Sequence, residues 1–87
     1  MVAELLCSED ADRSLTALES AAPADYERLA ATLAEFDAGP SDARWKRRRY
    51  ANPPVFGFTV IGRGGTYLVL WSSVGDTAIV EYVGPDI

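Results

Sequence analysis

The sequence predicts an α+β domain of order β-α-α-β-β-β, in which a helical hairpin packs on a small, mostly antiparallel sheet. Three observations carry that expectation. Residues 55–61, 67–71 and 78–83 are apolar runs rich in the β-branched and aromatic side chains that suit a pleated surface. Two glycine-bearing spacers, Gly62-Arg63-Gly64-Gly65 and Val74-Gly75-Asp76, separate the runs and allow tight reversals. Upstream of them lie two apolar stripes at helical spacing, joined by only a few residues.

Residues 2–7 are apolar apart from Glu4 and are long enough for one strand. Ser8 is suited to cap a helix, with Glu9, Asp10 and Asp12 in its first turn, where carboxylates meet the positive helix end. Ala11, Leu15, Leu18 and Ala22 then form one stripe, which predicts a helix over about 8–20. Pro23 marks a second start, and Tyr26, Leu29, Ala30, Leu33 and Phe36 continue the helical period until Gly39-Pro40. So short a connection implies an antiparallel hairpin with its stripe on a sheet.

Residues 41–54, SDARWKRRRYANPP, change the composition to basic and aromatic. They are expected to extend an irregular loop or to begin a strand. Pro53 and Pro54 argue against a paired central strand there, because proline cannot donate to the ladder. In the meander, Phe56, Phe58 and Val60 alternate with Val55, Gly57, Thr59 and Ile61, while Tyr67, Val69 and Trp71 alternate with Leu68 and Leu70. Neither strand has a clean polar face. Either a partner chain covers the side away from the helices, or Thr59, Tyr67 and Tyr82 suffice as a wet face.

The 87 residues fit one domain with a modest core. Cys7 is the only cysteine, so no internal disulfide forms, and its apolar surroundings predict a small core residue rather than a nucleophile. The chain has no histidine, which removes the commonest general base and metal ligand. No metal and no cofactor is expected. The first dozen residues lack a basic leader, and no apolar run approaches the roughly 20 residues of a membrane span, so a cytoplasmic protein is expected. The net charge of −5 is divided: residues 1–43 hold ten carboxylates against Arg13 and Arg28, a balance of −8, and residues 44–87 a balance of +3.

That division singles out Arg44, Trp45, Lys46, Arg47, Arg48, Arg49 and Tyr50 as the candidate RNA- or target-binding segment. Arginine suits bidentate phosphate contacts, and Trp45 and Tyr50 offer rings for stacking on bases. The same cations are equally suited to pair with the acidic helices or with an acidic partner. Arg63 in the glycine turn is placed to stabilise a phosphoryl transition state or to sit in solvent. Tyr67 and Tyr82 are candidate phenols or packing residues, Trp71 is a core residue, and Asp76 a turn former.

The layout resembles the RelE/ParE superfamily of bacterial toxins across nearly the whole chain. ADRSLTALES is similar to that family's first helix, YERLAATLAEFDAGP to its second, GRGGTYLVLW to its glycine turn, tyrosine and apolar strand, and TAIVEYVG to its third strand. The resemblance implies a toxin component of a type II toxin–antitoxin module acting on mRNA at the ribosome, with an antitoxin-like chain or a second copy as partner. By the same token an endoribonuclease of this kind would use Arg49 and Arg63 as its catalytic cations. Two positions depart from the pattern: Leu68 follows Tyr67 where RNA-cleaving members commonly carry arginine, and residues 84–87 lack a basic segment. The alternatives are a ParE-like toxin that inhibits a target such as DNA gyrase by binding, and a non-catalytic dimeric interaction module.

Overall fold

In the computed structural model, residues 4–39, 42–51, 54–75 and 77–85 are described. The element order is β1 (Glu4–Cys7), α1 (Glu9–Ala21), α2 (Pro23–Ala38), a 3-10 helix (Ala43–Lys46), β2 (Arg48–Ala51), β3 (Pro54–Ile61), β4 (Thr66–Val74) and β5 (Thr77–Pro85). The fold is α+β, as the sequence predicts: two helices on a mostly antiparallel sheet, now of five strands in the order β1-β5-β4-β3-β2. β1 runs parallel to β5 and every other pairing is antiparallel.

Local chemistry explains the helix boundaries. Ser8 caps α1 by accepting a hydrogen bond from the Ala11 amide at 3.1 Å, and three carboxylates occupy the first turn. Its amide and hydroxyl also donate to the carbonyls of Val80 and Glu81, which ties the end of β1 to β5. Pro23 opens α2 in the first turn, where its missing N–H leaves no bond unmade.

The register of β4 on β5 shifts once, between Leu70 and Trp71. Leu70 pairs with Tyr82 and Trp71 with Val80, so Glu81 is the extra residue of a bulge. That one residue lets Val80 and Val83, three apart, both face the core.

The core lies between the helices and one sheet face. It is built from Ala11, Leu29, Leu33 and Phe36 against Phe58, Val60, Val69, Trp71, Ala78, Val80 and Val83. Its centre is aromatic. Phe36 is fully buried and meets Trp45 and Trp71 edge-on, with ring centroids 5.5 and 4.8 Å apart. Trp71 is a core residue as expected, and its indole N–H donates to the Trp45 carbonyl at 2.8 Å.

Of the two alternatives for the basic segment the second holds: after one 3-10 turn it forms a strand, the edge strand β2. Two expectations are corrected. Pro54 is accommodated as the first residue of β3, opposite Ala51 on that edge. Cys7 is exposed rather than buried, because it ends the edge strand β1, and its thiol pKa is raised by partial desolvation and by the charge of Asp12, which disfavours the thiolate. Residues 2 and 3 of the expected first strand, Pro53 and the turn residue Asp76 lie outside the described residues.

Candidate nucleic-acid interface

The basic segment begins where Asp42 accepts a hydrogen bond from the Arg44 amide at 3.0 Å and caps the 3-10 helix. That single turn carries Trp45 into the core. Its indole N–H donates to the Gly39 carbonyl at 2.9 Å, and its ring packs on Phe36 and Phe58. Trp45 is therefore an anchor. At 4% exposure it presents no open ring to a base, so the stacking role expected of it does not hold. Tyr50 is 43% exposed and remains available for stacking.

Around this anchor the cations spread along one edge of the molecule. The Arg44 guanidinium lies 4.2 Å from the centre of the Trp45 ring, and the Lys46 ammonium 5.0 Å from that of Phe56. Arg49 pairs with Phe56 and so points to the helix side of β2, whereas Arg48 and Tyr50, opposite Gly57 and Val55, point to the other side. Arg44 and Arg47, with Trp45, Phe58 and Thr59, line an open cleft of about 260 Å³ beside β3.

Among the described residues the helices' carboxylates make no ion pair with Lys46, Arg47 or Arg49. Among the described residues the ion pairs are Arg13 with Asp10 and Arg44 with Asp42, the latter long at 3.9 Å and between exposed groups. The segment is thus a ridge of positive charge separate from the acidic helical layer.

Arg63 belongs to a different place. It sits in the turn between β3 and β4, beyond Ile61, while Arg49 pairs with Phe56 near the opposite end of β3. At about 3.3 Å per residue the two backbones are roughly 20 Å apart along the strand, and two arginines so placed do not converge on one phosphate. The structure does not assemble Arg49 and Arg63 into a common catalytic site.

What it assembles at the turn is a clamp that the sequence reading missed. Asp25, in the first turn of α2, is only 3% exposed and accepts three hydrogen bonds: from the Tyr67 hydroxyl at 2.6 Å, the Arg63 amide at 2.7 Å and the Gly64 amide at 3.0 Å. These bonds, Tyr67 foremost, hold the Asp25 pKa below its ordinary value, with a smaller contribution from the Arg28 charge. The same bond raises the Tyr67 pKa, helped by burial and by the Asp25 charge. Tyr67 is thus held protonated, as a donor to Asp25. Gly62 makes room for the clamp, since a Cβ there would lie 2.7 Å from the Asp25 carboxyl carbon. One sequence signal pointed this way: an aspartate in the first turn of a helix, and a turn rich in glycine amides. Nothing local joined the two across 38 residues.

Among the described residues no group of three histidine, cysteine, aspartate or glutamate side chains is placed to hold a metal, and no helix is long and apolar enough to cross a membrane. No family model, curated protein or solved structure matches the chain.

Proposed function

We propose that the chain is a toxin-like component of a type II toxin–antitoxin module that engages mRNA at the ribosome through the ridge of residues 44–50, and that it acts by occupancy rather than by cleavage. The observation that carries the reading is the ridge itself: Lys46, Arg47 and Arg49 lie on one edge, unpaired with the acidic helices. Arginine-rich edges of this kind bind phosphate through charge and bidentate hydrogen bonds, and Tyr50 adds a ring for a base. The acidic helices repel a polyanion and so orient its approach towards the ridge.

The geometry supports binding without cleavage. Arg49 and Arg63 are at opposite ends of β3, Tyr67 is held as a donor, and the chain has no histidine. The same separation favours, as a second reading, a toxin that inhibits a protein target by binding, for which no catalytic group is needed. In either case an acidic antitoxin segment is the natural neutraliser of the ridge.

The experiment is induced expression of the chain in a bacterial host, with growth and transcript integrity followed together. Growth arrest with intact transcripts, relieved by Arg47→Ala/Arg49→Ala, is the expected result. Cut transcripts would restore the nuclease reading. Normal growth with stable, folded protein would refute a toxic role altogether.

A further inference from the structure

The four large apolar side chains left most exposed among the described residues, Leu6, Tyr50, Ile61 and Val74, all lie on one face of the sheet. Strand register shows it. Tyr50 pairs with Val55, which shares its side of β3 with Ile61; Val74 shares its side of β4 with Leu70; Leu6 pairs with Ile79, which in turn pairs with Ser72 of β4. Phe58, Trp71 and Val80, on the other side, are in the helix-covered core. Between the exposed four, Val55, Leu70 and Ile79 are half-buried with no helix above them. Both helices and the 3-10 turn pack on the opposite face.

We propose that this open face is the interface of a homodimer, in which the sheets of two copies stack face to face. Area supports a sheet as the occupant. The three long strands run about 27 Å and the two edge strands about 13 Å, at spacings of about 4.8 Å, so the face projects to roughly 500 Å² per copy. Two copies remove more than about 1,000 Å² from water, the range of specific interfaces, before side-chain corrugation adds to it. A single peptide strand would cover about one fifth of the width. Only an object as wide as the sheet covers Leu6 on β1 and Tyr50 on β2 together.

Charge supports a second copy. Each chain carries −5, with −8 in residues 1–43, the span that holds β1 and both helices. Any contact through the helices sets acid against acid. Stacking the open faces instead places the two helical layers on the outside, about 30 Å apart, or nearly four screening lengths of about 8 Å at physiological salt. On the face itself Arg48 and Glu81 carry opposite charges, and the Glu81 carboxylate accepts from the Ser72 hydroxyl at 2.9 Å. Such a packing is isologous, with the same patch on both partners, and it closes at two. The inference does not rest on the ridge reading, but the two share Tyr50: a dimer through this face takes that ring from any base, while Arg49 points to the other side of β2.

The test is the mass of the full chain in solution, by sedimentation or light scattering, from about 10 to 200 μM, a range that brackets micromolar association. The expected result is a particle of twice the 9.4 kDa chain. Leu6→Lys/Ile61→Lys, at two exposed positions on the face, is expected to weaken association at least about 10-fold with the circular dichroism unchanged. Tyr50→Ser on the far edge is a second, milder variant should the first fail to fold. Thr16→Lys, exposed on α1, is expected to leave the mass unchanged. A monomeric wild type at the highest concentration overturns the proposal. So does a dimer that survives the face substitutions or is lost in Thr16→Lys, and so does a monomer that pairs only with a different chain.

Discussion

Substituting Lys46, Arg47 and Arg49 with alanine is the sharpest perturbation of the ridge. Among the described residues these three cations make no ion pair, and their removal leaves the Trp45 anchor intact. Each phosphate neutralised on a single strand contributes about 0.7 to the slope of log affinity against log salt. If each of the three meets one phosphate, the wild-type slope is steeper than the variant's by about 2.1. Between 50 and 200 mM salt that difference amounts to roughly 18-fold: the wild type loses about 18 times more affinity than the variant over the same range. The assay is fluorescence anisotropy of a short single-stranded RNA at several salt concentrations. Arg13→Ala/Arg28→Ala, on the helices, serves as the control and is expected to leave the slope unchanged. Equal slopes for wild type and triple variant would refute the reasoning, as would a comparable loss in the helix control. Thermal unfolding checks that the fold survives; the ring contact of Lys46 with Phe56 is worth at most about 1 kcal/mol at an exposed site.

Three further outcomes follow from the packing. Phe36→Ala empties the centre of the aromatic core and is expected to destabilise by about 3–5 kcal/mol, a large share of what a domain of this size has, and to lower the melting temperature by more than about 12 °C in a thermal scan. The clamp makes stability depend on pH at both ends. The lowered folded pKa of Asp25 gives stability that is present above its ordinary value of 3.8 and is lost as pH falls through the folded value; the raised pKa of Tyr67 gives stability that is present below 10.0 and is lost as pH rises through its folded value. Asp25→Asn should flatten the acid limb of a stability–pH profile, and an unchanged limb would contradict the assignment. Gly62→Ala drives a methyl into the Asp25 carboxyl, so the Arg63 and Gly64 amides should exchange with deuterium faster than in the wild type, while amides at the Trp45 end of the sheet should not.

Elements set by local chemistry were legible in the sequence. The cap at Ser8, the proline start of α2 and the halt at Gly39 are decided within a few residues, and the observed helices fall within one or two residues of the expected spans. The alternation correctly grouped Phe58 with Val60 in β3 and Val69 with Trp71 in β4, because a side chain two positions along returns to the same face. The basic cluster was visible as a run of charge. What failed was local inference from residue type. Trp45 reads as an exposed ring among arginines, yet one 3-10 turn rotates it onto Phe36. Cys7 reads as buried because its neighbours are apolar, yet an edge strand leaves it open. Arg49 and Arg63 read as possible partners, and only the pairing of β2 with β3 shows them at opposite ends.

By itself, then, the sequence determined the α+β class, the two helices, the strand faces and the separation of acidic from basic halves, since each depends on periodicity, capping or count. Tertiary structure alone decided that β1 lies parallel beside β5, that residues 48–51 close the opposite edge, that Asp25 grips the distant glycine turn, and that one apolar face stays uncovered. Those outcomes depend on which surfaces meet after the chain has folded back on itself, and contacts between residues 38 to 73 positions apart leave no mark on the local pattern at either end.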